Sequence, residues 1–318
     1  MAIVFGKAPG KIILFGEHAV VYGKPAIAIP VTRVKATARV LPNLEAKSGQ
    51  VRIQATDIQL DKTLTNLTED HPLRTAVRLT FEATIPEHIP AFTLQISSNI
   101  PISAGMGSSA AVSIAIIRAL SAFLGKPLPN SEISDLAYEV EKIHHGTPSG
   151  IDNNVVAYGK PVYYVRGKPV EFIQVKHPTH WLIADTGEKT STRETVSAVR
   201  TLHEADPSYC DPIFDKIGHV TQEARQALKL GDIKTLGKLM NENQLLLIAL
   251  NVSSLKLDHL IKAARTAGAS GAKLSGGGRG GNIIALAPPD KLKSIEEALH
   301  DAGAQSIIST KLTVSEET

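Results

Sequence analysis

Polarity alternates with the period of a β-strand through much of the first hundred residues. Residues 2–5 and 11–15 read as two short strands split by a glycine and proline turn, Gly6-Lys-Ala-Pro-Gly-Lys11. A short apolar run covers 26–29, and alternation returns over 31–40, 51–59 and 92–98. Helical spacing appears at 73–83 and again at 110–124, a long apolar run stopped by Gly125 with Pro127 just beyond. Ser108 or Ser109 falls where the N-cap of that helix belongs. Over 131–144 a further helix is expected, with Ser131 as its N-cap. Its apolar stripe is Ile133, Leu136, Ala137, Val140 and Ile143; Glu132, Asp135, Glu139 and Glu141 lie off the stripe, and a solvated face is expected for most of them.

The second half changes rhythm. Strands are expected at 162–165, 170–175 and 181–185, followed by a hydroxyl-rich stretch, 186–193, that opens a helix. Residues 213–267 are helical in three segments, broken near Gly231-Asp232 and Asn251-Val-Ser-Ser254. The carboxyl-terminal part reads strand 271–274, glycine loop 275–281, strand 282–287, helix 291–302, strand 306–312. Such a sequence of elements predicts an α+β chain of two domains, residues 1–180 and 181–318, without repeats or linker-like stretches.

Composition narrows the classes. In 318 residues, 43% are hydrophobic and 20% charged, enough for a substantial core and not a disordered chain. A net charge of +3 without a basic run argues against a nucleic-acid partner. Cys210 is the only cysteine, which rules out an intrachain disulfide and a cysteine-type zinc cluster and fits a reducing compartment. No apolar run reaches the ~18 residues of a membrane span, and 12–15 is too short for a signal sequence. A cytoplasmic protein is expected.

Chemistry concentrates in a few stretches. Pro101-Ile-Ser-Ala-Gly-Met-Gly-Ser-Ser-Ala-Ala111 sets two glycines and two serines before a helix. It is an ordinary turn or a cradle for an anion, most often a phosphate, at the helix N-terminus. It lacks the Lys-Ser/Thr ending of a P-loop and the third glycine of a dinucleotide fingerprint. Ser275-Gly-Gly-Gly-Arg-Gly-Gly281 is a second glycine loop, either a surface loop or a backbone wall near a ligand with Arg279 available to phosphate. Lys11 is a solvated turn lysine or a stabiliser of an alkoxide; Asp152, in Pro148-Ser-Gly-Ile-Asp152, is a helix cap or a proton acceptor. Glu141 with a serine of the first loop suits Mg²⁺, which needs only one or two protein oxygens beside water and phosphate. His18, beside Glu17 and between two glycines, is a packed residue or a ligand contact.

Three stretches, Pro9 to Gly23, Pro101 to Ala111 and Lys273 to Gly281, resemble the three motifs of the GHMP small-molecule kinases, in the family's order and across most of the chain. Gly16-Glu-His-Ala-Val-Val-Tyr-Gly23, with Glu141-Lys-Ile-His-His-Gly-Thr-Pro-Ser-Gly-Ile-Asp-Asn153, is similar to the family's mevalonate-acting branch. The resemblance implies a two-domain fold, with an amino-terminal domain like ribosomal protein S5 domain 2 and a ferredoxin-like carboxyl-terminal domain. It implies transfer of a phosphoryl group from ATP, with Mg²⁺, to the primary hydroxyl of mevalonate. By motif position Asp152 is the catalytic carboxylate and Lys11 its partner, while Ser109 and Glu141 hold Mg²⁺. Ser103, Ala104, Gly105, Met106, Gly107, Ser108 and Ser109 wrap the ATP phosphates, with Ser98 a lesser nucleotide contact. Glu17, His18 and Thr192 face mevalonate. A homodimer is compatible with the family.

The chain departs from the family pattern at Arg279, where glycine is usual, at Ser275 for threonine and at Thr147 for asparagine. A kinase acting on phosphomevalonate or on the 3-hydroxyl, and a nucleotide sensor without catalysis, are the competing readings. The Gly-Glu-His turn offers no extra basic groups for a second phosphate, and Lys11, Glu141 and Asp152 argue against a sensor.

Overall fold

The structure, a computed structural model, describes residues 3–101, 105–145, 148–188 and 191–313. Ser103 and Ala104 of the phosphate stretch, and Thr147, lie outside the described residues. The chain forms two compact units, each gathered from separated stretches. One comprises Met1–Gly10, Val34–Ile100 and Gly107–Gly159; the other comprises Lys11–Arg33, Pro101–Met106 and Lys160–Thr318.

The chain starts with β1 (Val4–Phe15), which pairs with β2 (Ala26–Pro42). The expected turn at 6–11 is absent: β1 is one continuous strand. Gly6 serves close approach instead, since a Cβ there would lie 2.1 Å from the Ala115 carbonyl oxygen. Pro9 is tolerated because β1 has β2 as its single partner among the described residues, leaving one strand edge without need of a donor.

In the first unit, β2 pairs antiparallel with β5 (Phe92–Ser98) from Ala36↔Ser98 to Pro42↔Phe92. β3 (Val51–Ala55) runs parallel to β5, and β4 (Leu60–Thr63) folds back on β3. The alternating stretch 51–59 is thus cut short by a 3-10 turn at Thr56–Ile58. α1 (Pro72–Thr84) connects β4 to β5, and α2 (Ser108–Phe123), α3 (Asn130–His145) and α4 (Ile151–Tyr158) pack on one another. Arg118 pins this group. Its guanidinium donates to the Lys7 carbonyl (2.6 Å), Asn130 Oδ1 (3.0 Å) and the Ala157 carbonyl. Burial lowers its pKa.

In the second unit, β6 (Val162–Tyr164) pairs with the start of β2, Ala26↔Tyr164 to Ala28↔Val162, and β7 (Glu171–Phe172) pairs with β6. Then come β8 (Thr179–Asp185), α5 (Thr192–Ala205), α6 (Pro207–Leu230), α7 (Ile233–Ala249) and α8 (Leu255–Thr266). The chain continues through β9 (Gly271–Ser275), β10 (Asn282–Ala287), α9 (Leu292–Asp301) and β11 (Ser306–Leu312). The breaks expected near 231 and 251 fall between α6, α7 and α8. Gly231 takes the left-handed conformation that ends α6, and Asp232 caps α7 through the Thr235 N–H. The sheet order β11-β8-β10-β9 is antiparallel throughout, the ferredoxin-like arrangement. Leu182, Ala184, Ala272, Leu274, Ile283 and Ala285 line a shared core with Phe214, Leu247, Leu260 and Leu299 from the helices. They are every second residue of their strands, as a pleated sheet requires. Cys210 is a buried free thiol in α6. Among the described residues no helix is long and apolar enough to cross a membrane.

Candidate active site

The second unit holds the Gly-Glu-His turn and the third glycine loop. After β1, Gly16 adopts φ +92, and any Cβ there would collide with the Pro25 carbonyl oxygen at 2.3 Å. The chain therefore turns sharply and delivers Glu17 and His18 inward, 2% and 5% exposed. A 3-10 turn at Ala19–Tyr22 follows, and its Tyr22 ring stacks on Phe214 with centroids 4.1 Å apart.

Glu17 is gripped from two sides. Lys273 of β9 donates to its Oε1 in an ion pair with neither side chain exposed, and Asn243 of α7 donates to Oε2 at 3.2 Å. Lys273 also donates to the Leu274 carbonyl at 2.6 Å. Burial pulls the Lys273 ammonium below the usual lysine range, and the Glu17 carboxylate opposes that shift.

His18 sits at φ 61, ψ −50, in a region that non-glycine residues seldom occupy. Its Nε2 lies 2.9 Å from the Gly277 carbonyl oxygen. A carbonyl only accepts, so Nε2 carries the proton and Nδ1 keeps a lone pair. Nδ1 is buried and has no hydrogen-bond partner among the described residues. Burial brings the pKa of the imidazole down to about 4; the Gly277 bond opposes this, and the charges of Arg279 and Lys273 add to it. At neutral pH the ring is uncharged and offers an acceptor.

Thr192, the first residue of α5, stands against the same loop: a Cβ on Gly277 would lie 3.2 Å from Thr192 Cα and 3.4 Å from its Oγ1. α5 starts there because Ser191 caps it, accepting from the Glu194 N–H at 3.4 Å. The structure thus brings His18, Thr192 and Gly277 together. Further along the loop, the Ser275 hydroxyl donates to the Ile13 carbonyl at 2.7 Å, a role threonine would fill equally. Arg279 has φ 57, a backbone suited to the glycine usual at that position. Its side chain donates to the Asn251 carbonyl at 3.1 Å. Lys11, expected on a turn, lies in β1 and is buried; its N–H donates to the Met106 carbonyl at 3.0 Å and ties the strand to the first glycine stretch.

The first unit carries the start of α2. The N-cap is Gly107, at φ 70, not Ser108 or Ser109. Ser108 and Ser109 occupy the first helical turn, and the N-cap glycine has no side chain to cap its N–H groups. Gly105 is exposed at φ 67, with open space where a Cβ would point. Ser98 closes β5, where its hydroxyl accepts from the Ile100 N–H at 3.2 Å. Glu141, placed off the apolar stripe by sequence, is 3% exposed, while Ile143 of the expected stripe is 40% exposed. Helical geometry explains the exchange: Glu141 lies four residues after Ala137 and eight after Ile133, hence on their face. Glu132, Asp135 and Glu139 are exposed as expected. Asp152 lies in the first turn of α4, after the left-handed Gly150, and is half-buried. Asn153 beside it donates to the Ser134 carbonyl (3.1 Å) and hydroxyl (2.9 Å), which fixes the start of α4 on α3.

Among the described residues no group of three or more His, Cys, Asp or Glu is placed to hold a metal ion. Glu141 offers a buried carboxylate on α3 and Ser109 a hydroxyl on α2, oxygen donors of the kind Mg²⁺ takes when phosphate and water supply the rest. Sequence reasoning gave no role to Lys273 or Asn243. The signal was present for both: a lysine inside an apolar strand, and an amide on the buried face of α7 at the helical spacing of Leu236, Met240 and Leu247.

Comparison with known proteins agrees with these motifs. The GHMP kinases N terminal domain matches residues 70–160, and the GHMP kinases C terminal domain matches 224–305. The mevalonate kinase of Thermococcus sibiricus is 38% identical over 333 residues, covering 98% of this chain and 96% of its own. A crystal structure of L. major mevalonate kinase in complex with R-mevalonate superposes with a TM-score of 0.84 at 30% identity, covering 100% and 97% of the two chains. The Methanococcus jannaschii mevalonate kinase gives 0.85 at 30% identity, with 98% and 99% covered. The chain belongs to the mevalonate kinase branch of the GHMP kinase family.

Proposed function

We propose that the protein transfers the γ-phosphoryl group of ATP to the primary 5-hydroxyl of mevalonate, giving 5-phosphomevalonate and ADP in isoprenoid biosynthesis. The observation that carries this reading is the uncharged His18 imidazole, its Nδ1 lone pair buried and unused, on the Gly277 loop that Thr192 also contacts. That is a place for a neutral alcohol. A phosphorylated acceptor would need cationic groups, and Lys273, the nearby lysine, is buried and committed to Glu17. The relative solved with R-mevalonate points the same way.

In this reading the acceptor oxygen forms a bond to the γ-phosphorus as the bridging oxygen of ADP leaves. Asp152 takes the hydroxyl proton, and the Lys11 ammonium stabilises charge on the attacking oxygen. The N–H groups at the start of α2 bind phosphate oxygens, favoured by the helix dipole, with residues 103–109 contributing and Ser98 a lesser contact. Ser109 and Glu141 would hold Mg²⁺, which when bound offsets the negative charge on the phosphates. Glu17, His18 and Thr192 make up the acceptor side. A cytoplasmic enzyme fits this reading, and so does a homodimer.

Asp152→Ala should lower kcat by about 10³-fold while ATP binds with unchanged affinity, measured by a coupled ADP assay and titration calorimetry. Turnover close to wild type would remove Asp152 from the mechanism. Wild-type activity on phosphomevalonate but not on mevalonate would overturn the substrate assignment, and ³¹P NMR of the product separates 5- from 3-phosphorylation.

A further inference from the structure

Both oxygens of Glu17 are occupied, one by Lys273 and one by Asn243, and its side chain is wholly buried. A carboxylate held in this way does not need the substrate to satisfy it. The next residue, His18, has an unfavourable backbone and an unused Nδ1. A residue in such a conformation persists only where its surroundings fix it. Two elements supply them: α7 gives Asn243, while β9 gives Lys273 and the loop that follows gives the Gly277 carbonyl that orients the ring.

We propose that Lys273 and Asn243 are positioning residues for the acceptor alcohol, clamping Glu17 beneath the turn so that His18 is held with Nδ1 towards the substrate. Glu17 then acts through His18, as a brace. This rests on the mevalonate kinase reading and assigns work to Lys273, the first residue of the third motif, and to Asn243, which lies outside the motifs. The charge balance of the pair gives the inference its test. Removing Lys273 alone leaves a buried carboxylate without its cation, which shifts or takes up a proton and releases the turn. Removing both charges leaves a neutral contact that the turn tolerates.

Lys273→Met, Glu17→Gln, the double variant and Asn243→Ala are compared in the full-length protein, with KM measured separately for mevalonate and ATP. Lys273→Met should raise KM for mevalonate about tenfold and leave KM for ATP within about twofold. The double variant should recover most of that loss. Asn243→Ala, which keeps the ion pair, should give about a threefold rise confined to mevalonate; it carries the test should Lys273→Met not fold. Equal effects on both substrates, no effect of Lys273→Met or Asn243→Ala, or a double variant no better than Lys273→Met would overturn the proposal. The last result would make Glu17 a direct substrate contact. A wild-type chain without mevalonate turnover overturns the functional reading, and this inference with it.

Discussion

The two glycine-rich loops use glycine for different reasons. In the first, Gly105 takes a left-handed backbone and has open space where a side chain would begin. In the third-motif loop, a Cβ on Gly278 would lie 2.0 Å from the Val252 carbonyl oxygen, and one on Gly277 would press on Thr192. At Gly105 there is room for something outside the protein, whereas the middle of the other loop, Gly277 and Gly278, is packed against the protein itself, with Gly276 and Gly281 at its ends left open. Glycine density alone does not identify a ligand loop; what fills the missing side chain's place separates the two cases.

Substitution by alanine is the most direct attempt to break this contrast. Gly278→Ala combines the clash with a positive φ of +79 and should cost at least about 3 kcal/mol, read as a large drop in urea midpoint or failure to fold. The third loop also fixes His18, which gives a pH signature. Its pKa is about 4 in the folded chain against 6.5 free. As pH falls from 6.5 towards 4 the unfolded chain takes up a proton that the folded chain does not, and stability is lost. The full window is worth about 3 kcal/mol. His18→Asn, which tolerates the left-handed backbone better, should flatten that acid-side slope in melts at stepped pH; an unchanged slope would assign it to other groups.

Gly105→Ala should cost only about 1 kcal/mol of stability, from the backbone, yet raise KM for ATP while KM for mevalonate stays put. A large stability loss there would erase the distinction between the loops. The smallest effect is expected for Arg279→Gly. Relief of a strained φ of 57 is offset by the lost Asn251 contact and the greater freedom of glycine when unfolded. The net change should be within about 0.5 kcal/mol, with activity retained.

The strands and helices of the second unit were legible because their signals are local. Short apolar runs in β8 and β10, the breaks near Gly231-Asp232 and Asn251 and the hydroxyl-rich stretch that opens α5 all act within a few residues. Where the reading failed, a distant contact outweighed the local signal. Gly6 and Pro9 look like a turn, but Gly6 is needed to let β1 approach α2, and the strand runs through. The acids of α3 look alike in sequence. Glu141 alone among Glu132, Asp135, Glu139 and Glu141 turns towards the packed side, because its phase matches Ala137 and Ile133.

The motif order, the α+β class and the family were set by the sequence, since turns, caps and periodicity are properties of neighbouring residues. The environment of each polar group in the Gly-Glu-His turn was decided only by the tertiary structure. Glu17 and Lys273 are 256 residues apart along the chain, and His18 meets the Gly277 carbonyl at a separation of 259. Burial and pairing at that range depend on how whole elements pack, and this converts an unremarkable strand lysine into a clamp and a histidine into a neutral acceptor.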